Sequence, residues 1–118
     1  MIQTYTWHVD MTGPDPESRE QAAERIEQVG LRLVEKTSFM LGAGASVVAD
    51  GLYVTIKVSG RDRWATQQHA KQLGEKLFKD ARLWKYPIKH TGTDTMPNRR
   101  GMSDGQGRTP RPRPAKTQ

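Results

Sequence analysis

The feature that most constrains this chain is where its apolar residues stop. From Thr91 to Gln118 run 28 residues without one Val, Ile, Leu, Phe, Tyr or Trp. Such a stretch has nothing to bury against the entropy of ordering it. Folding is therefore assigned to residues 1–90, and 91–118 reads as a disordered Gly-, Pro- and Arg-rich basic tail. A domain of that size buries roughly 60–65% of its unfolded surface, enough for one core. Cysteine is absent, so packing alone must hold the core, and disulfides, thiolate nucleophiles and thiolate metal sites are excluded. That composition suits a reducing cytoplasm. The start, Met1 to His8, lacks the basic and apolar regions of a signal peptide. No apolar run approaches the length of a membrane span, so no membrane partner is expected.

The apolar pattern up to His90 alternates between two periods. In residues 2–9, Tyr5, Trp7 and Val9 point one way and Thr4, Thr6 and His8 the other, as in a half-buried strand. Thr12-Gly-Pro-Asp-Pro16 is turn chemistry, with Asp15 as a cap and Pro16 at the first helical position. Ala22, Ile26, Val29 and Leu33 then recur at helical spacing, predicting a helix over 16–36. Its end has two readings: Met40 continues the pattern toward Gly42, or Thr37-Phe39-Leu41 is already extended. Ser46 to Ala49 is β-prone, and Asp50-Gly51 signals a two-residue hairpin. Leu52, Val54, Ile56 and Val58 follow at period two, the firmest strand in the chain.

After Ser59-Gly60, Asp62 caps a second helix predicted over 62–81. Its inward stripe is Thr66, Ala70, Leu73 and Leu77, with Phe78 and Ala81 beside it. Leu83 to His90 closes the domain as a strand alternating Trp84, Tyr86 and Ile88 with Lys85, Pro87 and Lys89. Proline removes a ladder donor, which places that strand at an edge. The order β-α-β-β-α-β implies an α+β, ferredoxin-like two-layer sandwich with strands 1 and 3 central. Both helices should then cover Tyr5, Trp7, Val54, Ile56, Trp84 and Ile88. Thr4, Thr6, His8, Tyr53, Thr55, Lys57, Lys85 and Lys89 should lie on the open sheet face.

Charge is distributed unevenly around a net of +6. Residues 1–60 carry five basic against eight acidic side chains, 61–90 eight against three, and 91–118 six against two. Arg61, Arg63, Lys71, Lys76, Lys79, Arg82, Lys85 and Lys89 make the helix and last strand basic. Arg99, Arg100, Arg108, Arg111, Arg113 and Lys116 continue it into the tail. Clustered basic side chains on a folded surface and an extended Arg-Pro arm suit phosphate tracking without sequence preference. A solvated helix face, with Lys71 paired to Glu75 four residues on, accounts for part of the pattern.

Enzyme and cofactor readings find little footing. His8 and Asp10 share a strand face, but nothing brings His69 or His90 to them. A lone strand histidine near an aspartate is usually polar surface. Gly42-Ala-Gly-Ala-Ser46 lacks the third glycine and following helix of a dinucleotide loop. Trp64 reads as hinge packing. The third strand, Asp50 to Lys57, shares the layout of RNA-recognition domains but not their basic-Gly-aromatic run. The expectation is a non-enzymatic binding protein without metal or cofactor. Its partner is DNA or RNA, bound nonspecifically, or an acidic protein surface. The alternative is an interaction or assembly module, in a viral or other macromolecular assembly or as a homo-oligomer, working through the open face or an edge strand.

Overall fold

Tyr5 and Val9 are buried while their alternate neighbours face outward, and this period-two burial sets β1 at Ile2–Asp10. The computed structural model describes residues 1–96, apart from the side chains of Thr95 and Met96. The remaining elements are α1 (Arg19–Lys36), β2 (Met40–Val48), β3 (Gly51–Ser59), α2 (Arg63–Asp80) and β4 (Ile88–Met96). The strands form one open antiparallel sheet in the order β2-β3-β1-β4, with β1 and β3 central. Leu52, Val54, Ile56 and Val58 of β3 meet Ala22, Ile26, Val29 and Leu33 of α1 and Ala70, Leu73, Leu77 and Phe78 of α2 in a single core. No described helix is long and apolar enough to cross a membrane.

α2 follows its sequence signals closely. The Asp62 carboxylate accepts from the Ala65 N–H at 2.7 Å, and Thr66, Ala70, Leu73, Leu77, Phe78 and Ala81 are all buried. α1 starts three residues later than predicted, with Ser18 in place of Asp15 at its N-terminus. Long-range contacts displace the start: the Glu17 N–H donates to the Tyr86 hydroxyl at 3.1 Å, across 69 residues of sequence. The chain is extended at Thr37, and β2 begins at Met40, which is buried.

The β2–β3 turn also differs from expectation. Val48 pairs with Gly51, so Ala49 and Asp50 form the two-residue connection and Gly51 already belongs to β3. Gly51 has φ 156°, and a Cβ there would lie 1.8 Å from the Val9 carbonyl oxygen. Only glycine allows so close an approach.

The last strand is the main correction. Residues 83–87 form turns, and β4 runs from Ile88 to Met96. The boundary drawn at His90 thus falls inside a strand, and Pro87 precedes it. The cause lies at the end of α2. Arg82 adopts φ 63°, its N–H donates to the Lys79 carbonyl at 3.1 Å, and the Leu83 N–H donates to the Phe78 carbonyl at 2.8 Å. This is a Schellman turn, which sends Leu83 into the core and the following residue outward. Trp84 is consequently 70% exposed instead of buried, while Trp7 and Ile88 are half-buried against the core. The tail from 97 onward lies outside the described residues.

Candidate functional site

Five aromatic rings converge between α2 and the start of β4. Trp7 reaches this place from β1 because residue 74 of α2 is glycine: a Cβ there would sit 3.0 Å from the indole edge. Phe78 meets Trp7 edge-on at 5.6 Å and 85°. His90, exposed on the helix-facing side of β4, lies 5.8 Å from Trp7 and 5.9 Å from Tyr5, and its Nε2 is 2.9 Å from the Thr93 hydroxyl. Trp84 and Tyr86 supply the far wall from the 83–87 turn. Together with Ile88, Lys71 and Glu75 they enclose a groove of about 590 Å³. That volume is within the usual range for small-ligand sites.

A polar clasp holds the turn that carries Trp84. The Arg25 Nε donates to the Ala81 carbonyl at 2.7 Å, and its Nη1 donates to Glu17 Oε2 at 2.5 Å. The Tyr86 hydroxyl donates to Glu17 Oε1 at 3.2 Å, and Lys85 Nζ is 3.6 Å from the same oxygen. The Arg25 guanidinium, hydrogen-bonded to Glu17, holds that carboxyl below its ordinary range against the opposing effect of burial; Tyr86 and Lys85 add to it. The same bond raises Arg25. Glu17, Arg25 and Tyr86 carry no motif, and their separation in sequence hid the clasp.

The expected basic surface is not one patch. Lys71 walls the aromatic groove. Lys76 pairs with Asp80 at 3.5 Å, in place of the anticipated Lys71–Glu75 pair. Arg82 lines a separate hollow with Arg25, Arg32, Glu24 and Asp80. Lys85 sits over the Tyr86 ring at 5.4 Å, in the turn before β4 and not on a strand face. Lys89 pairs in register with His8 and so faces the open side. Arg61, Arg63 and Lys79 are exposed. Arg99, Arg100, Arg108, Arg111, Arg113 and Lys116 lie outside the described residues.

On the open face, Thr4, Thr6 and His8 lie opposite Lys57, Thr55 and Tyr53. His8 and Tyr53 rings are 5.3 Å apart, and the Thr6 and Thr55 hydroxyls are 3.4 Å apart. His8 Nε2 takes Asp50 Oδ1 at 3.0 Å, so its partner is the hairpin aspartate and not Asp10. Asp10 instead accepts from the Thr12 hydroxyl and N–H, which hold its carboxyl below the ordinary range. His69 stacks on Phe39 at 4.6 Å. Among the described residues no three His, Cys, Asp or Glu side chains are grouped to hold a metal. The Gly42–Ser46 run lies within β2.

No protein-family model, no curated protein and no solved structure matches this chain.

Proposed function

We propose that this chain is a small, non-enzymatic binding protein for nucleic acid that takes single strands in the α2–β4 groove. The observation that carries the reading is the exposed Trp84 beside Trp7, Tyr86 and His90, with Lys71 on the groove wall. Aromatic faces accept bases of any sequence, at ~1–3 kcal/mol per stacked base, while nearby cations track the phosphates. Lys85 sits over the Tyr86 ring of the aromatic wall, and the Arg-Pro tail adds non-specific attraction from a segment with six basic residues.

The element order and the β2-β3-β1-β4 sheet support a ferredoxin-like reading of the fold. In RNA-recognition domains of similar layout, bases stack on the open sheet. Here that face offers His8 and Tyr53 among threonines, and His8 is engaged by Asp50. The groove is therefore the better stacking site.

Fluorescence anisotropy of the full chain with labelled single- and double-stranded DNA and RNA tests this. If about five phosphates are neutralised, the salt slope is near −4.5, and raising salt from 50 to 200 mM weakens binding roughly 500-fold. Trp84→Ala is expected to weaken single-strand binding about 5- to 150-fold while leaving the fold intact. A flat salt response, or no binding at low salt, overturns the proposal and returns the interaction or assembly module as the reading.

A further inference from the structure

β2 stands at one edge of the sheet, and among the described residues its outer row of backbone N–H and C=O groups faces no other strand. Between Lys36 and Asp50 the chain carries no charged residue and no proline. Leu41 and Val47 are 49% and 43% exposed, and Gly42 and Gly44 leave open space where side chains would stand. Natural edge strands are usually blunted by charge, proline, a bulge or short length. β2 has nine residues and one irregularity, between Met40 and Gly42. Its stretch from Gly42 to Val48 pairs in regular register with β3.

From this we infer that β2 is a self-pairing surface, at which a second copy of this chain adds its own β2 antiparallel to make a continuous eight-stranded sheet. A second copy fits for three reasons. The two strands match in length, because they are the same strand. No like charges oppose each other along the pairing, so the ladder forms without repulsion. The antiparallel arrangement also brings the Lys36 end of each copy toward the Asp50 end of the other. In a register centred on Ala45, Ala43 falls opposite Val47, which covers that half-exposed side chain. Such an interface is isologous and closes on two copies. It is small, at the low end of stable interfaces, and so depends on protein concentration. The surface is independent of the α2–β4 groove, and neither reading needs the other.

Sedimentation of nuclease-treated full-length protein over a concentration series tests it. The expected mass rises from 13.3 kDa to twice that value. Ser46→Lys, at an exposed position of β2, should move the transition to at least about tenfold higher concentration by placing like charges on diagonal neighbours of one sheet face. Its far-UV circular dichroism and thermal midpoint should stay near those of the parent. A cysteine-free chain also permits a second reading by spin labels. In this register the two copies of residue 46 are diagonal neighbours, roughly 8 Å apart, so nitroxides on Ser46→Cys should couple strongly in the dimer. On Lys89→Cys the labels would be seven strand spacings apart, roughly 34 Å, and should not broaden the spectrum. A mass of 13.3 kDa at every concentration overturns the inference. So does a dimer whose dissociation is unmoved by folded Ser46→Lys, or one that couples labels at residue 89 and not at 46.

Discussion

β2 and β4 are both edge strands of nine residues, yet they are finished differently. β4 follows Pro87, carries Lys89, His90 and Asp94, and shifts register against β1 between Thr6 and Trp7, where the Thr91 hydroxyl donates to the Thr6 carbonyl. Each of these features discourages another strand from pairing there. β2 has no charge and no proline, and its seven residues from Gly42 onward keep regular register. An edge left unprotected on one side of a sheet whose other edge carries such protection argues for use. The difference extends to how each strand is anchored. β2 is tied locally, by a two-residue turn into β3 and by α1, where Gly30 allows Ala43 so near that a Cβ at residue 30 would meet it at 2.7 Å. β4 is tied at long range, through β1 and the Glu17–Arg25–Tyr86 clasp.

The local anchor can be broken most sharply at Gly51. Gly51→Ala places a Cβ against the Val9 carbonyl at a backbone angle that L side chains rarely adopt. A loss of about 3 kcal/mol is expected, read as a lower denaturation midpoint. The matching change on the β4 side, Gly92→Ala, meets open space and should stay within about 0.5 kcal/mol. Equal losses at the two glycines would mean that the hairpin does not hold β2 as described.

The same contrast explains what could be read from the sequence. β3 and α2 were legible because their apolar residues recur at one clear period and Asp62 caps where a cap was needed. The sequence signal for β2 starts only at Ser46, since Gly42-Ala-Gly-Ala45 has little strand propensity and becomes a strand through its ladder with β3. The sequence signal for β4 falls too early for a related reason. Thr91 to Thr95 is polar and small, and it is held by pairing with β1, while the apolar alternation of Trp84 and Tyr86 belongs to a turn. The charges of the candidate site were visible, but the groove was not. Its shape depends on Arg82 taking a conformation usually left to glycine, and on a clasp joining residues 17, 25 and 86.

The long-range anchor should yield to acid. Glu17 is held below its ordinary range in the folded protein, chiefly by Arg25. Its contribution to stability is complete above the unfolded carboxyl value, about 4.3, and is lost as pH falls through the lower folded value. Glu17→Gln should therefore cost about 1 kcal/mol at neutral pH, at the low end for a charged hydrogen bond because the site is partly solvated. Variant and parent should converge as pH drops below about 4. Denaturant titrations at several pH values check this, and a difference that is constant with pH would deny Glu17 the role. The effect should appear first near β4, as faster amide exchange around Tyr86 and Ile88, with β2 unchanged.

The smallest expected effect has the opposite sign. Arg82 holds φ 63° at the Schellman turn that leads into β4, a conformation that costs an L residue roughly 1 kcal/mol and glycine almost nothing. Glycine also gains entropy in the unfolded chain, so Arg82→Gly should stabilise by only about 0.5 kcal/mol. Because Arg82 lines the hollow with Arg25 and Arg32 and is not among the residues lining the groove, the change removes a cation without altering the groove. Nucleic-acid affinity should then fall less than for Trp84→Ala, with the salt slope reduced by no more than about one. Paired denaturation and anisotropy measurements on this variant separate the turn's two consequences. A destabilised Arg82→Gly would show that the arginine side chain, and not the turn's backbone, fixes the course of the chain into β4.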